Sequence, residues 1–103
     1  MPLAPGQSLE SFETLPGYEL VQQGMEDLAR GEIDTVAALL VAIGAPRLRA
    51  IGLALPSGMT DDPEHRLYER LAEEGADAAH GRYNALVRRL VSFERAAEHA
   101  KAG

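Results

Sequence analysis

The residues with most chemical promise are two Asp-x-x-His repeats, Asp62-Pro63-Glu64-His65 and Asp77-Ala78-Ala79-His80. Residues three apart share a helix face, and carboxylate–imidazole pairs on neighbouring helices hold di-metal centres in some four-helix bundles. Geometry argues against that chemistry here. A short connection makes the two helices antiparallel, so the pairs start at opposite ends, and a helix of about twelve residues is roughly 18 Å long. Such bundles also use Glu rather than Asp in the pair, plus a lone Glu on each of two further helices. Acids in a helix's first turn have a simpler role against the macrodipole. Asp61, Asp62, Glu64 and His65 are clustered, but consecutive side chains rarely converge on one ion. The expectation is therefore no metal and no cofactor.

Nucleophilic chemistry has no footing either. Ser8, Ser11, Ser57 and Ser92 sit in no G-x-S-x-G context, no glycine-rich phosphate loop is present, and there is no cysteine. No catalytic residue is assigned, and an enzymatic role is not the leading reading. The arginines offer a different chemistry: Arg47, Arg49, Arg88, Arg89 and Arg95 form a candidate patch for an anion or a partner. Within an antiparallel hairpin, Arg88 or Arg89 comes level with Asp61 and Asp62, and an ion pair there is expected. His80 and Asn84 fall at the edge of an apolar stripe, where polar residues usually serve as rim hydrogen bonders.

A formal charge of −6 opposes general nucleic-acid binding, whose affinity comes largely from basic residues. The charge is uneven. Residues 1–34 hold seven acids against Arg30 alone, whereas from Arg82 onward five basic residues face Glu94 and Glu98. Contacts between helices or between subunits would neutralise these halves. Leu, Ile, Val and Phe make up about a quarter of the chain, enough for a core, and the Ala- and Leu-rich composition favours helix over strand. The opening Met1–Gly6 lacks the basic and apolar stretches of a signal peptide, and the apolar run from Val36 to Ile43 is far too short to span a bilayer. No membrane association and a cytoplasmic setting are expected.

The elements that must position these residues follow from periodicity and punctuation. Residues 1–16, broken by Pro2, Pro5, Gly6 and Pro16, read as an N-terminal arm without regular helix. Residues 17–103 read as a single helical-bundle domain. A first helix runs from Gly17 or Tyr18 to Arg30 on the stripe Tyr18, Val21, Met25 and Leu28, with Gly31 ending it. Asp34 or Thr35 caps an all-apolar second helix, Val36 to Ile43, closed by Gly44. Pro46 restarts the chain as a short connecting helix through Ile51. Asp62-Pro63-Glu64 caps a third helix that reaches Glu74 and buries Leu67, Tyr68 and Leu71. The last and longest helix spans about Asp77 to His99, with Ala79, Tyr83, Leu86, Leu90, Phe93 and Ala97 alternating spacings of four and three.

The fold class expected is all-α: a small bundle of four main helices plus one short connecting helix, with a long C-terminal helix. The expected function is a protein–protein interaction or regulatory module that self-associates as a homodimer. Phe12, Leu15 and Leu20 are its candidate dimer contacts, because neither the arm nor the far face of the first helix has an obvious groove in its own chain. One alternative is a small-ligand-binding domain or enzyme with a pocket between the second and last helices. A further alternative is nucleic-acid binding through the arginine cluster.

Overall fold

Most helix boundaries obey local chemistry. The computed structural model describes residues 9–102, the last two by backbone alone. A 3-10 turn, Leu9–Phe12, precedes four α-helices: α1 (Tyr18–Ala29), α2 (Val36–Ala50), α3 (Pro63–Glu74) and α4 (Ala76–Ala102). No strand occurs among the described residues. The fold is all-α, as the composition and periodicity predict. Pro2, Leu3 and Pro5 of the expected arm lie outside the described residues, and its second half is less irregular than expected because Leu9–Phe12 winds one turn.

Thr35 is the cap that starts α2: its hydroxyl accepts a hydrogen bond from the Ala38 N–H at 3.1 Å. Gly31, at φ 81°, ends α1 in the left-handed conformation. Asp62 precedes α3 as expected but makes no side-chain capping hydrogen bond, so Pro63 at the first position supplies the start. Gly75 alone separates α3 from α4, which makes the two an antiparallel hairpin.

One boundary departs from the sequence reading. Gly44 does not end α2, and the segment from Pro46 is not a separate helix; one helix runs from Val36 to Ala50. Two physical reasons account for this. Gly44 lies buried against α4, where a Cβ would stand 2.5 Å from Glu94 Oε2 and 3.1 Å from Leu90 Cδ1. Its missing side chain permits close helix packing rather than a turn. Pro46 is exposed and Ala42, one turn earlier, is half-open, so the Ala42 carbonyl that loses its amide partner can be hydrated.

The core forms around α2, which packs against α1, α3 and α4. Leu39, Leu40, Val41 and Leu48 of α2 are shut in with Val21 and Leu28 of α1, Leu67 and Leu71 of α3, and Leu90 and Phe93 of α4. Gly24 brings α1 close enough that a Cβ there would collide with the Ala37 carbonyl and Val41. The all-apolar helix is thus enclosed by its own chain. Leu86 and Tyr83 of α4 are only half-buried, unlike Ala79, Leu90, Phe93 and Ala97 on the same stripe. No helix among the described residues is long and apolar enough to cross a membrane.

Candidate functional site

Two buried carboxylates are the first places to look for chemistry, and both have structural work. Asp27 sits at the end of α1, where Thr35 donates to its Oδ2 at 2.6 Å. Gln23 and Arg30 donate to Oδ1 at 2.8 and 2.6 Å. Burial pushes the Asp27 carboxyl up, but the Thr35 and Gln23 hydrogen bonds and the Arg30 charge together hold it below the usual carboxylate range. Because Thr35 also caps α2, this cluster ties the end of one helix to the start of the next.

Glu94 is 2% exposed and lies against Gly44 at the α2–α4 crossing. Arg47 Nη1 approaches Glu94 Oε1 to 3.1 Å, and the same guanidinium donates from Nε and Nη2 to Glu98 at 3.1 and 2.9 Å. Burial pushes the Glu94 carboxyl up, only partly offset by Arg47, whereas the Arg47 hydrogen bond draws Glu98 down. At this crossing Gly44, Leu90 and Glu94 pack closely together.

Two of the five candidate patch arginines are engaged by carboxylates within the chain. Arg47 is engaged by Glu94 and Glu98, and Arg89 pairs with Glu19 of α1 at 3.4 Å. That last pair corrects the expected partner of Arg88 or Arg89. Asp61 and Asp62 take neither arginine, because Gly17 lets α1 begin hard against the backbone of Arg89 and brings Glu19 there instead. Arg88 and Arg95 are exposed on α4. Arg49 borders a groove of about 490 Å³ between the outer side of α2 and the 52–62 loop, lined also by Pro46, Met59, Thr60 and Asp61.

The candidate dimer contacts are also occupied at home. Phe12 is 3% exposed and meets the Phe93 ring edge-on, with centroids 6.0 Å apart. Leu15 and Leu20 are half-buried against the same core. A second groove, about 410 Å³, lies outside α1 between Leu9, Tyr18, Met25 and Ala29.

The Asp-x-x-His residues turn away from each other. His65 lies 3.2 Å from Glu69 on α3, and His80 lies 3.2 Å from Asn84 on α4. Among the described residues, no three His, Asp or Glu side chains come together as a metal site would require.

What the hairpin does bring together is aromatic. Tyr68 of α3 meets Tyr83 of α4 with ring centroids 5.7 Å apart, and the His80 ring at 6.5 Å. Tyr68 was expected in the core beside Leu67 and Leu71, yet it remains 39% exposed. It stands 100° around α3 from Leu67, and that rotation takes it out of the seam to the open edge of the hairpin. Glu64 stands one turn before Tyr68 on the same side of α3. Burial pushes the Tyr83 phenol up, and the negative charges of Glu64 and Asp62 push it further. Sequence reasoning singled out His80 and Asn84 as rim residues but missed that Tyr68 completes the surface. No protein-family model, curated protein or solved structure matches the chain.

Proposed function

We propose that this protein is an interaction module whose α3–α4 hairpin docks a protein partner through Tyr68, Tyr83 and His80. The observation that supports this most is Tyr68 itself. Both phenylalanines are shut in the core, while a tyrosine in tilted contact with a second tyrosine is left 39% exposed. Tyrosine is enriched at interfaces because it offers a large, rigid apolar body and a polar tip. The partner is taken to be another protein rather than a second copy. Of the three side chains that suggested a homodimer, Phe12 is packed on Phe93, and Leu15 and Leu20 are half-buried against the core. The cysteine-free chain suits a reducing, cytoplasmic setting.

A ligand-binding role has one observation of its own. The groove beside Arg49 and Asp61 offers an apolar floor with a charge of each sign at its rim. It is open and shallow, however, and most ligand sites enclose their occupant. The hairpin face remains the better-supported surface.

Site-specific photo-crosslinking distinguishes these readings. A photoreactive phenylalanine analogue at position 68 should yield a discrete heteromeric adduct in the native host. The same analogue at Ser92, on the far side of α4, should not. Equal labelling from both positions, or none from position 68, would remove the hairpin face from consideration. An adduct with the mass of two copies of the chain would restore self-association.

A further inference from the structure

We propose that the hairpin face binds a basic segment of its partner, with Arg or Lys side chains laid over Tyr68 and Tyr83 and their charges met by Asp62 and Glu64. This rests on the reading that the hairpin is the docking surface. It starts from where ion pairs are missing. Among the carboxylates of α3 and α4, Glu69, Glu73, Glu74, Glu94 and Glu98 each have a cationic partner within the chain. Asp62 and Glu64, at the start of α3, have none among the described residues, and both lie near Tyr83, whose phenol feels their charges. Asp77, also without an ion pair, stands at the other end, one turn before His80. Uncompensated negative charge therefore brackets the exposed rings.

The opposing positive charges are weaker. The N-terminus of α3 contributes about half an elementary charge, set against the two full negative ones of Asp62 and Glu64. Arg88, one turn beyond Asn84, is exposed on α4, and Arg49 shares its groove with Asp61. His65 faces Glu69 instead. A tyrosine face adds its own preference, because the negative quadrupole of the ring attracts a guanidinium or ammonium. Aromatic rings and unpaired carboxylates thus ask for the same ligand chemistry. Size also follows: α3 is about 18 Å long, a distance that an extended chain covers in about six residues. The occupant is a short segment with cations near both ends, not a single charged side chain.

Amide NMR titration of the full-length protein with synthetic peptides of about eight residues gives the test. A Lys/Arg-rich peptide should shift the amides of residues 64, 68, 80, 83 and 84. Its affinity should fall as salt rises, and the peptide with glutamate in place of its cations should not bind. Tyr68→Ala and the double variant Asp62→Asn/Glu64→Gln should each weaken binding roughly threefold or more while remaining cooperatively folded. Shifts scattered over other surfaces, equal binding by both variants, or the same shift map from free spermidine would overturn the proposal. A position-68 crosslink to a partner without any basic-peptide binding would overturn the basic segment while leaving the docking surface intact. Absence of both would remove the two together.

Discussion

Helix α4 makes two crossings that differ in kind. Toward its C-terminal half it meets α2 through Gly44, Leu90 and a buried Glu94 held by Arg47. Toward its N-terminal half it meets α3 through Tyr83 and Tyr68, with the outer ring open to solvent. At the first crossing a glycine removes the spacing side chain, the helices close, and the buried Glu94 pairs with Arg47. At the second, two bulky rings meet at a tilt at the edge of the seam, and neighbouring acids are left without ion pairs. The lesson concerns how to read polar residues on a helix. A buried carboxylate paired within the chain speaks of packing, whereas a half-open ring beside unpaired charge speaks of an absent partner.

The contrast breaks first if the α2–α4 crossing does not carry stability. Leu90 is shut in beside Gly44, so Leu90→Ala loses both transfer energy and packing. A destabilisation of about 2–5 kcal/mol is expected, read as a lower midpoint in urea with an unchanged slope. An unaltered midpoint would mean that this crossing is no tighter than the hairpin edge.

Glu94 sharpens the comparison through pH. Burial raises its folded-state affinity for protons above that of the unfolded chain, whose value is near 4.5. A raised carboxyl favours folding while protonated and loses that contribution as pH climbs from the unfolded value through the folded one. Glu94→Gln keeps the neutral form at every pH. The variant should therefore gain stability relative to the wild type as pH rises through that window, and the difference should level off above it. Asp27 has the opposite sign. Its folded value is depressed below 3.8, so its contribution is present at neutral pH and fades only under strong acid. Denaturation series at stepped pH would show whether the two variants, Glu94→Gln and Asp27→Asn, diverge in this way.

Much of the architecture is legible in the residues, for physical reasons that also explain the misses. Helices α1, α3 and α4 announce themselves because their apolar periods are unbroken and Gly31 and Gly75 punctuate them. Helix α2 was cut short because Gly44 and Pro46 were read as local signals, when a close approach by α4 and an exposed carbonyl make both tolerable within a helix. Phe12 could not be placed, since an aperiodic segment carries no indication of which groove it fills; only Phe93 supplies that answer. The arginine patch joined residues by type, and the ion pairs of Arg47 and Arg89 depend on which helices meet. Tyr68 is the instructive miss. Its place beside Leu67 in the sequence suggests the core, but the direction of each helix edge relative to its neighbour is a tertiary fact.

The smallest effect expected on stability is at Tyr68, and its smallness is what gives the comparison its force. The ring is partly open, and its contacts are one tilted ring pair with Tyr83 and another with His80. Such pairs contribute about 0.5–1.5 kcal/mol beyond area, and alanine returns about half a kcal/mol through its better helix propensity. Tyr68→Ala should thus cost about 1–2 kcal/mol, toward or below the low end of the Leu90→Ala loss. If it unfolds the protein as readily as Leu90→Ala does, the tyrosine belongs to the core and the hairpin edge is ordinary packing. If stability is nearly retained while the position-68 contact with a partner is lost, the ring's value lies outside the chain. A residue that matters little to folding yet exposes a large apolar face beside unpaired carboxylates has its energetic reason in what it touches when bound.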